Sequence, residues 1–263
     1  MRLEDQVKLN SPITATDHEA WIRPQAWTRY TADEHATWLF LYDRQLEVLA
    51  ERACPEFLDG LKALDLRGSG IPDFEDVSAR LRPLTGWCIA PVEGLVPDEA
   101  FFGFLAERRF PAGNFIRRAD SLDYIEAPDI FHDVFGHVPM LTNPAFADFM
   151  QAYGLAGLRA ARQGGIEALA RLYWFTVEFG LMQTPRGLRI YGAGIASSCE
   201  EAVHALESDT PRRIGFTPRR AAETAYRVDD LQPLYMVIES FEELLGLADA
   251  GFEAAPHGME RAA

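Results

Sequence analysis

The chain has 263 residues, of which 48% are hydrophobic and 25% charged, and its formal net charge at neutral pH is −15. This composition is typical of a globular protein, and the length suits one catalytic domain with a sizeable core. The acidic excess argues against nucleic acid as a partner, because its phosphates would be repelled, and no apolar run approaches the roughly 20 residues that cross a membrane.

Residues 1–30 are polar and mixed, and they predict an extended N-terminal arm before a catalytic domain over residues 31–250. Thr31 and Glu34 have the spacing of a capping box, which opens a long helix. Further helices are predicted after Pro55, over Phe74 to Leu81 and over residues 97–109, with a loop at Arg67 to Gly70. The apolar side of the first helix is predicted to include Trp38, Leu39, Tyr42, Leu46 and Leu49.

The second half of the chain mixes short strands with helices. A turn is predicted at Pro111 to Gly113, and the apolar run from Leu172 to Met182 predicts a buried helix. Thr217-Pro218 and Ser240 to Glu243 carry helix-start signals, and residues 251–263 predict a frayed tail. Strands are predicted at residues 115–117, 188–191 and 235–238. The elements together indicate a mainly α protein with a few short β-strands, folded as a single catalytic domain.

The beginning of the chain and its cysteines bear on its compartment. The N-terminus lacks the apolar core of a signal peptide. Cys54, Cys88 and Cys199 are odd in number and scattered, which is typical of reduced thiols rather than of a disulfide framework. We therefore expect a cytoplasmic protein.

His132, His137 and Glu178 stand in apolar segments and are a candidate metal-ligand set. Two imidazoles and a carboxylate bind non-haem Fe(II) on one face and leave the other open. On a continuous α-helix the two histidines would lie roughly 140° apart, too far round to share a metal. Pro128 and Asp129 favour a helix start, whereas Gly136 and Pro139 favour its end. We therefore expect His132 on a short helix and His137 just beyond it.

Two alternatives remain open at this point. Glu178 could instead be the buried partner of an arginine such as Arg171 or Arg189. The same three ligands would also suit a catalytic zinc of a hydrolase, although the chain lacks a His-Glu-x-x-His helix. The ligand count alone does not decide between iron and zinc.

Around these residues the sequence resembles the pterin-dependent aromatic amino acid hydroxylases, most closely the bacterial phenylalanine 4-hydroxylases. The likeness runs over roughly residues 30 to 243, in the family's order. It is carried by residues 84–95, 115–118, 128–139, 173–180, 191–198 and 232–235, with further matches at Thr37-Trp38 and residues 71–78.

The resemblance implies a Fe(II) centre with His132, His137 and Glu178 as ligands, and a tetrahydropterin as the second cofactor. The implied reaction is the hydroxylation of L-phenylalanine to L-tyrosine with O₂. Hydroxylation of tryptophan, or of phenylalanine at the meta position, remains an alternative within the same family. Animal relatives carry a regulatory domain and a tetramerising helix for which this chain is too short, so we expect a monomer whose partners are small molecules.

The resemblance also implies roles for residues around the metal. The pterin would stack on Phe101, in a cradle of Gly94, Leu95 and Val96, with Asp133 close to it. Arg117 would bind the substrate carboxylate, oriented by Asp129. Ile125 stands where animal members have a threonine that contacts this carboxylate. The other implied substrate-site residues are Pro128, Tyr173, Trp174, Gly194 and Ser197.

Overall fold

The computed structural model describes residues 17–123, 127–228 and 230–249. Within them the protein is mainly helical, which confirms the predicted fold class. The α-helices are α1 (Ala32–Leu49), α2 (Pro55–Leu64), α3 (Phe74–Thr85), α4 (Asp98–Ala106), α5 (Pro144–Gln163), α6 (Ile166–Tyr173), α7 (Ala193–Ala196), α8 (Cys199–Glu207), α9 (Pro218–Glu223) and α10 (Phe241–Asp249). Shorter 3₁₀ segments cover Asp17–Trp21, Trp27–Arg29 and Val138–Thr142, and π-helices cover Phe131–His137 and Trp174–Glu178.

The strands form two small sheets. β1 (Cys88–Val92) pairs in parallel with β2 (Arg109–Gly113). The larger sheet has the order β4-β3-β6-β5, built from β3 (Gly180–Thr184), β4 (Gly187–Ile190), β5 (Arg212–Gly215) and β6 (Leu234–Ile238). β3 and β4 are antiparallel, whereas β6 runs parallel to both β3 and β5. β3 begins two residues after Glu178, so the larger sheet fixes the chain where the candidate ligand stands.

The predicted capping box at the start of α1 is confirmed. The Thr31 hydroxyl accepts from the Glu34 N–H, and the Glu34 carboxylate accepts from the Thr31 N–H at 2.7 Å. The predicted burial of Leu46 is wrong, because 36% of this residue is exposed. Gln45 and Leu41 lie on the buried side instead. The line of core-facing residues shifts gradually around the axis of a helix of 18 residues.

Several predicted elements of the second half need correction. Pro111 to Gly113 belong to β2 and not to a turn, because a two-stranded sheet consists of edges, where proline is tolerated. Residues 115–117 are not a strand in the described structure. Their backbone groups pair with the start of the first π-helix, since the Phe115 carbonyl accepts from the Ile130 N–H at 2.8 Å.

The predicted helix over Leu172 to Met182 is wrong beyond Glu178, where the run enters β3 to pair with β6. The helix predicted over residues 97–109 is shorter, and Arg108 ends it with a left-handed backbone. At the start of α10 the Glu243 carboxylate accepts from the Glu239 N–H, not from Ser240 as the predicted box required.

The other helix predictions hold. α2 begins at Pro55, α3 begins at Phe74 and extends to Thr85, and Thr217 caps α9. Cys54, Cys88 and Cys199 are free thiols, as predicted. No helix in the described part of the chain is long and apolar enough to span a bilayer. Much of the predicted arm and the whole tail, residues 1–16 and 251–263, lie outside the described residues.

Candidate metal centre

His132, His137 and Glu178 converge on one point between the two π-helices. The two Nε2 atoms lie 3.3 Å apart, and the Glu178 carboxylate lies 3.3 Å from the Nε2 of His137 and 3.7 Å from that of His132. All three ligand atoms fall within 4.8 Å of one another. Ligand atoms that meet one ion at about 2.1 Å and at right angles would lie about 3 Å apart. The donor set therefore fits a single divalent metal ion.

The two histidines share this point because residues 131–137 form a π-helix rather than an α-helix. The i→i+5 hydrogen bonds of a π-helix bring residues five apart onto the same face. The prediction that Gly136 ends the helix is therefore wrong, and the chain passes directly into the 3₁₀ segment at Val138. Pro128 precedes the π-helix instead of opening it, whereas the Asp129 carboxylate caps it by accepting from the His132 N–H at 3.0 Å.

Ser197 holds the His132 ring from behind. The Ser197 hydroxyl donates to the Ala193 carbonyl at 2.8 Å, so it accepts from the Nδ1–H of His132 at 2.9 Å. With its proton on Nδ1, the imidazole turns the Nε2 lone pair toward the convergence point. Burial lowers the pKa of His132 to about 4, against the opposing effect of Glu178, and keeps the ring neutral as metal binding requires.

Glu178 ends the second π-helix and is surrounded by a glycine turn. A side chain at Gly192 would meet the Glu178 carbonyl at 2.4 Å, and one at Gly194 would meet the Phe179 ring at 2.8 Å. Burial alone would raise the pKa of Glu178, but His137, His132 and the Gly194 N–H favour the carboxylate, and the pKa is lowered. The net result is an ionised ligand.

The predicted alternative partners of Glu178 are engaged elsewhere. Arg171 donates to the Ala222 carbonyl at 2.9 Å and pairs with Glu167, whereas Arg189 donates to the Leu188 carbonyl at 2.8 Å. Glu178 faces the two imidazoles instead. The arginine alternative is therefore wrong.

Arg117 and Asp129 form a buried bidentate ion pair. Nε and Nη2 of Arg117 donate to the two carboxylate oxygens at 2.8 Å each, and Nη1 donates to the Leu122 carbonyl at 3.0 Å. Burial opposes ionisation of Asp129, but these hydrogen bonds from Arg117 hold its pKa below the usual range. Because Asp129 also caps the π-helix, it joins the arginine directly to the segment that carries His132.

The predicted pterin residue Phe101 is linked to the metal centre through Tyr173. The Phe101 ring on α4 packs edge-to-face on Tyr173 at 5.6 Å, and Tyr173 stacks on His137 at 6.2 Å. The Asp133 carboxylate accepts from the Gly113 N–H at 2.7 Å, while burial raises its pKa to about 7. Gly94, Leu95 and Val96 form the loop between β1 and α4.

Three contacts were not anticipated from the sequence. Phe110 on β2 packs against the His137 ring at 4.9 Å. Trp174, a predicted substrate-site residue, donates its Nε1–H to Gln232 at 2.9 Å and stacks on Tyr226 at 4.3 Å. The family motif at residues 232–235 singled out Gln232 in the sequence. The spacing of residues does not reveal that its partner is Trp174, 58 residues away. Ile125 lies outside the described residues.

Known proteins share this architecture. The chain matches the model of the biopterin-dependent aromatic amino acid hydroxylase family over residues 21–247. It is 58% identical over 224 residues to a phenylalanine-4-hydroxylase of Caulobacter vibrioides, covering 85% of this chain and 76% of that protein. A phenylalanine-4-hydroxylase of Ralstonia nicotianae is 59% identical over 216 residues, covering 82% and 69%.

Solved structures agree. Phenylalanine hydroxylase of Chromobacterium violaceum with bound iron(III) and 7,8-dihydrobiopterin superposes with a TM-score of 0.85 at 47% identity, covering 91% of this chain and 90% of that one. The iron- and phenylalanine-bound structure of the same enzyme has a TM-score of 0.82 at 44% identity, covering 93% and 95%. With a match that spans nearly all of its described residues, this protein belongs to the biopterin-dependent aromatic amino acid hydroxylase family.

Proposed function

We propose that this protein hydroxylates L-phenylalanine to L-tyrosine with O₂ and a tetrahydropterin at a Fe(II) centre. The observation that carries the proposal is the convergence of His132, His137 and Glu178 within 4.8 Å in a chain of this family. The relatives named phenylalanine-4-hydroxylase, at 58% and 59% identity, support phenylalanine as the substrate.

The cofactors are Fe(II) and a tetrahydropterin, and the three converging side chains would hold the iron. When bound, the two cofactors together supply the electrons that reduce O₂, so that one oxygen atom can enter the aromatic ring. The protein keeps His132 neutral and Glu178 ionised, and Ser197 keeps the His132 proton on the nitrogen that faces away from the iron. These three features hold the ligands ready before the iron arrives.

Arg117 is the proposed site for the substrate carboxylate. A guanidinium has five N–H donors, and Asp129 and Leu122 accept from three of them. The two that remain can bind a carboxylate. Only 7% of the Arg117 side chain is exposed, so little water competes for them, and the charge-assisted bonds are strong. Asp129 fixes the orientation of the Arg117 guanidinium, which is the role proposed for it.

The pterin site is proposed beside Phe101, between α4 and the loop of Gly94, Leu95 and Val96. Phe101 is partly buried and offers an aromatic ring next to Tyr173 and His137. Leu95 is 76% exposed, so its apolar side chain is available to cover a planar ligand. Asp133, fixed by the Gly113 N–H, supplies a polar group at the same side of the centre.

The test is product identification. The iron-loaded protein should convert phenylalanine to para-tyrosine in the presence of tetrahydropterin, with consumption of O₂. Parallel incubations with tryptophan and tyrosine measure the preference, and meta-tyrosine is assayed in the same run. Failure to form para-tyrosine, with pterin oxidation intact, would reject phenylalanine 4-hydroxylation. Absence of any Fe(II)-dependent O₂ uptake would reject the oxygenase.

Three predictions from the sequence stay proposals. We propose that residues 31–250 form the hydroxylase domain, with residues 1–30 as an arm and residues 251–263 as a tail. A monomeric state is tested by sedimentation, and a cytoplasmic location by fractionation. Residues 17–30 support the arm: Arg23 donates its N–H to the Pro91 carbonyl and Trp27 donates to the Ile71 carbonyl, so the segment lies along the surface of the body.

A further inference from the structure

The motif Gln232-Pro-Leu-Tyr235 reaches the site described above through the hydrogen bond between Gln232 and Trp174. It leads into β6, which pairs with β3 shortly after Glu178. Gln232 and Tyr235 are buried, with 2% and 0% of their surfaces exposed. A buried glutamine must satisfy its whole amide within the protein. The partners of Gln232 therefore show what the motif holds in place.

The side-chain amide of Gln232 makes three hydrogen bonds, one of them to the indole of Trp174. Its Oε1 accepts from the indole Nε1–H of Trp174 at 2.9 Å. Its Nε2 donates to the Arg227 carbonyl at 2.7 Å and to the Asp230 carbonyl at 3.0 Å. The opposite orientation of the amide would set N–H groups against the indole donor. One amide thus fixes both the indole and the segment whose Tyr226 ring stacks on it.

Glu201 of α8 holds Gln232 from behind. Its carboxylate accepts from the Gln232 backbone N–H at 3.1 Å and from the Tyr235 hydroxyl at 2.5 Å. On the same helix, His204 lies 3.2 Å from the Gln232 carbonyl. Glu201 is itself only 5% exposed. These buried contacts make the position of Gln232 independent of solvent.

Trp174 stands four residues before Glu178 on the same π-helix. Its neighbour Tyr173 stacks on the His137 ring at 6.2 Å, so the indole lies close to the metal centre. The indole ring lies 4.6 Å from the Phe179 ring and stacks on the Tyr226 ring. The hydrogen bond to Gln232 is the polar contact that sets the rotation of the indole within this stack.

We propose that Gln232 is a positioning residue for the aromatic substrate. It sets the orientation of the Trp174 indole beside the substrate ring, and Glu201 and Tyr235 hold Gln232 in turn. This inference rests on the proposed function, because it assumes that the ring of an aromatic amino acid binds beside Trp174. It adds that specificity for the ring depends on a group that does not touch it.

The test compares Gln232→Met with Gln183→Met, since Gln183 is an exposed glutamine of β3. Losing the acceptor leaves the indole N–H unsatisfied, and we expect the KM for phenylalanine to rise about five- to tenfold. The Kd for phenylalanine, measured by calorimetry, should rise with it, and less tyrosine should form per pterin oxidised. The KM for the pterin should stay within about twofold, because the ring contacts of Phe101 in the described structure are with Phe102 and Tyr173. Gln183→Met should match the unchanged protein in all four measurements.

A milder variant keeps the proposal testable if Gln232→Met does not fold. Tyr235→Phe removes one donor to Glu201 and should move phenylalanine binding and coupling in the same direction by a smaller factor. The proposal is overturned if phenylalanine binding and coupling stay unchanged in the folded variants. It is also overturned if the two KM values rise together in step with a fall in Tm, which is the behaviour of a purely structural residue.

Failure of the proposed function would look different. The unchanged protein would then form no para-tyrosine. The same variants would be compared by calorimetry on whichever aromatic amino acid the unchanged protein binds. Weaker binding of that amino acid in Gln232→Met alone would support the positioning role, and equal binding in both glutamine variants would reject it.

Discussion

Ser197→Ala offers the sharpest test of how the metal centre is organised. The hydroxyl of Ser197 accepts from the Nδ1–H of His132 at 2.9 Å while it donates to the Ala193 carbonyl. Without it, neither the tautomer nor the rotation of the ring is fixed. Groups that orient a metal-binding histidine typically contribute about 10- to 100-fold in metal affinity, or about 1.4–2.7 kcal/mol. We expect a loss of affinity in that range.

The assay is a competition titration of Fe(II), or of Co(II) as an air-stable substitute, against a chelator of known affinity. Ser198→Ala is the matched control, because the neighbouring serine caps α8 by accepting from the Glu201 N–H at 3.2 Å. Loss of that cap should lower the free energy of unfolding by about 1 kcal/mol and leave metal affinity unchanged. If Ser197→Ala binds metal within about twofold of the unchanged protein, the orienting role of the hydroxyl is refuted.

Three further predictions address the ligand set and the arginine. Glu178→Ala should lose iron and turnover with the fold retained, as measured by metal content and circular dichroism; hydroxylation at the normal rate would remove Glu178 from the ligands. Arg117→Ala should weaken phenylalanine binding by roughly 2–5 kcal/mol with little effect on iron content, and an unchanged Kd would contradict its role. Asp129→Asn tests pH dependence in urea unfolding. The pKa of Asp129 is lowered in the fold, so its stabilisation is complete above the usual carboxyl range and is lost as the pH falls below about 4. Below that pH, the difference in the free energy of unfolding between the unchanged protein and Asp129→Asn should become smaller. An increase in this difference would contradict the assignment.

Predictions from the sequence are correct where the physical cause is local. The capping box at Thr31 and the proline at the start of α2 act within a few residues, so both helix starts could be predicted. Two of the three predicted strands are confirmed, since residues 188–191 and 235–238 correspond to β4 and β6, whereas residues 115–117 are not a strand. Proline interrupts most strands, and Pro111 was therefore predicted to lie in a turn. It lies in β2 instead, because its position in the pairing with β1 requires no backbone N–H donor.

The chemical identity of the centre was legible because a metal site needs particular side chains. Two histidines and a glutamate in apolar segments indicated a metal site, and the surrounding motifs indicated the family. The geometry by which these three side chains converge could not be predicted from the sequence. Residues 131–137 form a π-helix, whose i→i+5 hydrogen bonds place His132 and His137 on one face. The α-helical period assumed from the sequence places the two histidines on different faces.

The residue types and their order were enough to predict the candidate ligands His132, His137 and Glu178 and the mainly helical frame, because a metal site needs particular side chains and helix signals are local. The orientation of these groups depends on contacts that form when the chain folds. Ser197 behind His132, the glycine turn around Glu178 and Gln232 behind Trp174 all join residues more than ten positions apart. Such contacts follow from how helices and sheets pack together, and no local pattern of residues encodes them.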